Sequence, residues 1–154
     1  MILDKNLTFG ATGAITSAAT YSCADVIDTQ ANTVSGGTQN SDLPEGRDVN
    51  AVFNVTTALA GGTNATFRVV MSAADTLTNP VVIASTGAIL TADLGAGKLI
   101  ALKLDPGLIG QAGLRYVGAQ VVSTGTHSAG NVSAQLVLDI QDGRRAYKGG
   151  FTVV

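Results

Sequence analysis

One stretch, Asp48–Ala74, limits this chain to very few folds. It reads DVNAVFNVTTALAGGTNATFRVVMSAA. Val49, Ala51, Phe53 and Val55 alternate with Asn50, Asn54 and Thr56. After Gly61-Gly62 the alternation resumes, with Ala65, Phe67, Val69 and Met71 on one side and Thr66, Arg68 and Ser72 on the other. Side chains of a strand alternate between faces, so period two means one buried face and one wet face. A helix would need period 3.6, which is absent. Two such runs joined by GGTN predict an antiparallel hairpin, because glycine tolerates the positive φ of a tight turn.

The same period recurs downstream. Lys98–Leu104 predicts a strand with Ile100, Leu102 and Leu104 facing in and Lys103 out, closed by Asp105-Pro106-Gly107. Asn79-Pro80 leads into the apolar run Val81–Ser85, and Pro80 is acceptable only at a strand start or an edge. Leu114–Val122 predicts another strand. GTHSAGN over 125–131 predicts a turn, and Val132, Ala134, Leu136, Leu138 and Ile140 alternate with Ser133, Gln135 and Asp139. Val26 and Ile27 suggest a short strand within Cys23–Asp28. TADLGAG over 91–97 allows one helical turn capped by Thr91.

The whole reads as an all-β chain: a jelly-roll-like antiparallel β-sandwich of roughly eight strands. It forms one domain over residues 1–154 with an extended N-terminal arm, residues 1–12, and a long loop, residues 29–47. Loops of that length are uncommon in compact domains and are usually functional or disordered. A chain of this size buries about 68–70% of its unfolded surface and holds a core without metal or disulfide. With no Trp and 5% aromatics, that core is expected to consist of Val, Leu, Ile and Ala. Only 13% of residues are charged, so exposed apolar surface destined for an interface is expected.

Charge and chemistry exclude several classes. The net charge is −2, and the only basic cluster is Arg144-Arg145-Tyr147-Lys148, so no nucleic-acid partner is expected. No run approaches the roughly 18 apolar residues of a membrane helix, and scattered aromatics make no barrel girdles. The start, MILDKNLTFG, does not read as a signal peptide. His127 is the single histidine and is expected exposed in its polar turn; Cys23 is expected as a small buried hydrophobe. One His and one Cys are too few for zinc. Asp42, Glu45 and Asp48 could frame calcium but lack EF-hand spacing and read as a solvated loop. Gly95-Ala96-Gly97-Lys98 fails as a phosphate loop, because Ala92 and Leu99 replace the Gly and the Ser/Thr that such a loop requires. Sequons at Asn6, Asn54, Asn64 and Asn131 are expected by chance in a Thr-rich chain. No catalytic, cofactor-binding or metal-binding residue is assigned, and no enzyme activity is expected.

Two stretches carry a resemblance. MILDKNLTFG with Ala14-Ile15-Thr16 and Ala24–Asp28, and AGNVSAQLVLDIQDGRRAYKGGF over 129–151, resemble the capsid cement (decoration) proteins of tailed bacteriophages, typified by that of a Bordetella phage. The resemblance implies a jelly roll on the capsid exterior, made in the bacterial cytoplasm. It would bridge neighbouring major capsid proteins and stabilise the shell. Self-association is also expected, as a dimer rather than a trimer. The alternative is a carbohydrate-binding jelly roll of receptor-binding or lectin type. Sugar sites usually need aromatic platforms, and only Tyr21, Tyr116 and Tyr147 are available beside the phenylalanines.

Overall fold

A computed structural model of the chain describes residues 7–29, 33–34, 37–38, 49–105 and 114–137. The described strands, in chain order, are β1 (Thr8–Ala11), β2 (Thr20–Ser22), β3 (Ile27–Asp28), β4 (Thr33–Val34), β5 (Gly37–Thr38), β6 (Val49–Gly61), β7 (Asn64–Ser72), β8 (Val81–Ser85), β9 (Ile89–Leu90), β10 (Leu99–Leu104), β11 (Tyr116–Thr124) and β12 (His127–Val137). Sheet A has the order β1-β12-β6-β10 and sheet B the order β2-β11-β7-β8; β3 and β9 extend sheet B, and β4-β5 form a small separate ladder. Every pairing in these sheets is antiparallel.

The order has a simple origin. Taking the eight principal strands alone, first pairs with last (β1 with β12), second with seventh (β2 with β11), third with sixth (β6 with β10) and fourth with fifth (β7 with β8). The chain is one long ribbon of nested pairs, rolled so that its two arms also lie side by side, β6 on β12 and β7 on β11. Two four-stranded sheets with this winding are a jelly roll.

The topology corrects the hairpin expected over Asp48–Ala74. β6 and β7 do not pair. They belong to opposite sheets, and Gly61–Thr63 is the corner where this arm of the ribbon crosses over. The other arm crosses beside it at Gly125. Gly62 N–H donates to Thr126 O (2.7 Å) and Thr63 N–H to Thr124 O (2.8 Å), so the ladder continues around the bend. Gly61, Gly62 and Gly125 have φ of 74°, 51° and 84°, a left-handed run that residues with a Cβ resist. The glycines are required, as GGTN predicts, but for a corner between sheets and not for a hairpin.

Burial follows the alternation. Val49, Ala51, Phe53 and Val55 of β6 face Ala65, Phe67, Val69 and Met71 of β7 within the core. Ile100 and Leu104 are buried, Leu102 is half-buried and Lys103 is exposed, as the period predicts. The core is not purely aliphatic, however. Phe9, Phe53 and Phe67 are its largest fully buried side chains, and the rings of Phe53 and Phe67 meet edge to face across the two sheets, centroids 5.4 Å apart. Such a pair adds about 0.5–1.5 kcal/mol to the area it removes from water.

Four further expectations change. Of the arm predicted over 1–12, Thr8–Ala11 is one of the two edge strands of sheet A, and Phe9 within it has no exposed surface; residues 1–6 lie outside the described residues. The turn predicted over 125–131 is shorter, because strand pairing resumes at His127 through irregular register with β6. Thr91–Asp93 does form one 3-10 turn, but Leu90 precedes it with no side-chain cap. Within the predicted loop 29–47, β4 and β5 pair; its remaining residues 30–32, 35–36 and 39–47 lie outside the described residues, as do Leu138–Ile140.

A short excursion after β7 covers the outer face of sheet B. Leu77 adopts φ 54°, costly for a bulky residue, and places its side chain over Gly118. A Cβ on Gly118 would stand 2.4 Å from Leu77 Cδ1, so any larger residue at this strand position would force the Leu77 side chain to shift. Ser72 Oγ fastens the excursion by donating to Thr78 O (2.7 Å) and accepting from Ala74 N (3.2 Å). The chain is thereby delivered to Pro80 and the edge strand β8, where proline is tolerated.

Candidate functional site

The residues singled out for chemistry are dispersed by the fold. His127 is not the exposed loop residue expected: it is 3% exposed, packed in the crossover corner against Gly62. Both ring nitrogens are buried with no hydrogen-bond partner. Pairing of Thr126 to Gly62 draws the ring inward, which local polarity alone does not signal. Cys23 is buried as expected. Burial, reinforced by the charge of Asp25, pushes its thiol up to about 12, leaving it a poor nucleophile.

Gly95–Lys98 is a turn leading into β10, with Gly97 at φ 82°. Asp42, Glu45 and Asp48, and also Tyr147 and Asn6, lie outside the described residues. Among the described residues no three His, Cys, Asp or Glu side chains gather as metal ligands. No helix among them is long and apolar enough to cross a membrane.

Tyr21 and Tyr116 do not share a platform. Tyr21 pairs with Val121 and leans on the core, while Tyr116 lies on the opposite face of β11 beneath the Arg115 guanidinium, 5.1 Å from the ring centroid. The Tyr21 hydroxyl is held by the loop before β2. Its oxygen accepts from Thr16 N (3.0 Å) and Ser17 N (2.8 Å) and lies 2.9 Å from Ser17 Oγ. These donors favour phenolate and lower its pKa to about 8, the Ser17 side chain contributing most.

What the fold assembles is surface. β10 is one edge of sheet A and β8 one edge of sheet B, and the two adjoin on one flank of the sandwich. That flank exposes Val81 (46%), Val82 (45%), Leu90 (59%) and Leu99 (60%). From Thr76 to Ala92 there is no charged residue. Edge strands offer unpaired backbone donors and acceptors and are usually protected by charge; β8 carries none.

Next to this flank, four strands of sheet B align one polar row. Ser22 lies across from Gln120, Gln120 from Arg68, and Arg68 from Ser85. Arg68 Nε donates to Gln120 Oε1 (2.9 Å), and Gln120 Nε2 donates to Ser22 Oγ (3.0 Å). At the far end of the same face Arg115 is spent internally. It forks onto Asp28 through Nε–Oδ1 (2.7 Å) and Nη2–Oδ2 (2.5 Å), while Thr29 Oγ1 donates to Arg115 O (2.6 Å).

Comparison with known proteins bears on what such a surface is for. The Bbp16 family matches residues 9–136, from the buried Phe9 of β1 almost to the end of β12. The chain belongs to the Bbp16 family. That name points to a Bordetella phage protein, and a virion structural role is compatible with it. No curated protein matches the chain. The Bbp16 match covers both sheets of the jelly roll, including the apolar flank and the polar row.

Proposed function

We propose that this chain is a capsid cement protein, binding the outer surface of a phage shell and bridging neighbouring major capsid proteins. The observation that carries the reading is membership of the Bbp16 family over residues 9–136, which take in nearly all of the described sandwich. The surface supports it. A jelly roll with two adjoining edge strands and an apolar flank is a rigid strut whose β8 edge carries no charge. Bridging many subunits lets individually weak contacts add up across a shell. A ligand that binds only the assembled state stabilises it by mass action.

Self-association as a dimer belongs to the same proposal, since identical charge-free edges can meet about a two-fold axis without like-charge repulsion. Stabilisation requires no catalytic step. The protein should co-purify with intact particles at a fixed ratio to the major capsid protein. Particles depleted of it should release DNA at a lower temperature, and adding it back should restore them. Depleted particles as heat-resistant as complete ones would end the proposal.

A further inference from the structure

We propose that Arg68 is a preformed docking point for a carboxylate on the protein partner, an Asp or Glu set within an otherwise apolar segment. The inference deepens the capsid reading and rests on it for the partner's identity.

Arg68 is half-buried and on the outer face of sheet B. Its neighbours are Gln120 and Ser85 across the sheet and Thr66 and Val70 along β7, with Ser22 behind Gln120. None is acidic. Of the described carboxylates, Asp28 is spent on Arg115, and no ion pair among the described residues involves Arg68. Arg115 shows how this protein uses an arginine for its own architecture, with a bidentate carboxylate of its own. Arg68 has the brace without the acid.

The brace matters. Gln120 is 5% exposed, and both ends of its amide are committed, Oε1 to Arg68 and Nε2 to Ser22. It can therefore hold the guanidinium in one orientation. It occupies only Nε, so the four N–H groups of the two terminal nitrogens remain for a planar anion. An arginine loses much rotamer freedom when fixed, and here the Gln120 brace takes part of that loss before binding.

The surroundings select the kind of anion. Val81 and Val82 stand exposed on the adjoining strand. A fixed arginine beside exposed aliphatics has the composition of an interface hot spot. A polyanion is a poor match: the chain is net negative, and the described surface also carries Asp25, Asp75, Asp93 and Asp105. One cation bordered by apolar edge fits one carboxylate bordered by apolar residues.

The test measures binding of purified protein to particles lacking it, at low and moderate salt. The variants are Arg68→Met, Arg68→Lys and Ser85→Asp, with Ser85→Asn as control and urea midpoints to verify folding. Arg68→Met should bind roughly tenfold or more weakly and lose part of the salt dependence. Arg68→Lys should recover only part, because lysine has no fork for Gln120 and the carboxylate to share. Ser85→Asp leaves Arg68 intact but supplies an internal acid directly across from it, and it should compete the partner away; Ser85→Asn should bind as wild type. If Arg68→Met proved unstable, Ser85→Asp alone would decide. Normal binding by folded Arg68→Met or Ser85→Asp would overturn the docking point while leaving the capsid reading standing. Failure of the wild-type protein to bind any particle would overturn both. Arg68-dependent retardation of duplex DNA would assign the site to nucleic acid and overturn the protein partner.

Discussion

The crossover corner allows a quantitative test of the rolled-ribbon fold through Gly62→Ala. Two separable costs meet at this residue. Its φ of 51° is left-handed, and a non-glycine residue there costs about 1–3 kcal/mol. An added Cβ would also stand 2.3 Å from His127 Nε2, 2.4 Å from Cε1 and 2.6 Å from Cδ2, so the ring must leave its place. Moving a buried ring opens a void and disturbs packing, a further cost of about 1–3 kcal/mol. The expected total is about 2–6 kcal/mol, a large part of the roughly 5–15 kcal/mol that holds such a domain together. The decisive experiment is a double-mutant cycle with His127→Ala, read by urea unfolding. Without the ring, Gly62→Ala should cost only its backbone part, giving a coupling of about 1–3 kcal/mol. Two single variants calibrate the parts. Gly97→Ala has φ 82° and open space, so it reports backbone strain alone. Gly118→Ala has no positive φ but meets Leu77 at 2.4 Å, so it reports the clash alone. Additivity within about 0.5 kcal/mol in the Gly62–His127 cycle would mean that the ring does not pack on Gly62, and the corner would have to be redrawn.

Other measurements follow from the same structure. Tyr21 should titrate near pH 8 by tyrosinate absorbance, and Tyr21→Phe should remove that phase. Because folding lowers this pKa from 10.0, the associated stability is lost as pH falls through about 8, so wild type should gain on Tyr21→Phe between pH 8 and 10. Cys23 should react slowly with thiol reagents at pH 8 until the protein unfolds, and Cys23→Ser should cost about 1–3 kcal/mol by burying a hydroxyl. Phe9→Ala should cost about 3–5 kcal/mol by denaturant unfolding, and deletion through residue 9 should abolish the sharp transition, because β1 supplies core.

The strands were legible because period two is written locally. Val49 to Val55 and Ala65 to Met71 name their buried faces without reference to any other part of the chain. Pairing is a different kind of information. Nothing in GGTN distinguishes a turn that returns a strand to its neighbour from a corner that carries it to the opposite sheet. The difference is made by Thr124 and Thr126, which take the N–H groups of Thr63 and Gly62. His127 departs from its expected exposure for the same reason: a polar residue among glycines looks wet until a distant glycine makes room for it. Phe9 reads as part of an arm because a four-residue edge strand is too short to show a period. The Arg68–Gln120 brace joins residues 52 positions apart and left no local trace.

The nesting of strand pairs also sets an order of events in time. Arg68 lies across from Ser85, Asn54 from Leu99, Ser22 from Gln120, and Thr8 from Gln135, so each pair encloses a longer loop than the one before. Closing a loop twice as long costs only about 0.6 kcal/mol more, but the residues between must already be arranged for the closure to succeed. Folding should therefore begin at β7–β8 and end by seating β1 on β12, over milliseconds to seconds as for other sheet topologies dominated by distant contacts. In a chevron experiment, Phe9→Leu should accelerate unfolding with little effect on refolding, while substitutions at the tip of the ribbon should slow refolding. The seam at β1 then governs the lifetime of the folded protein far more than the speed of its formation.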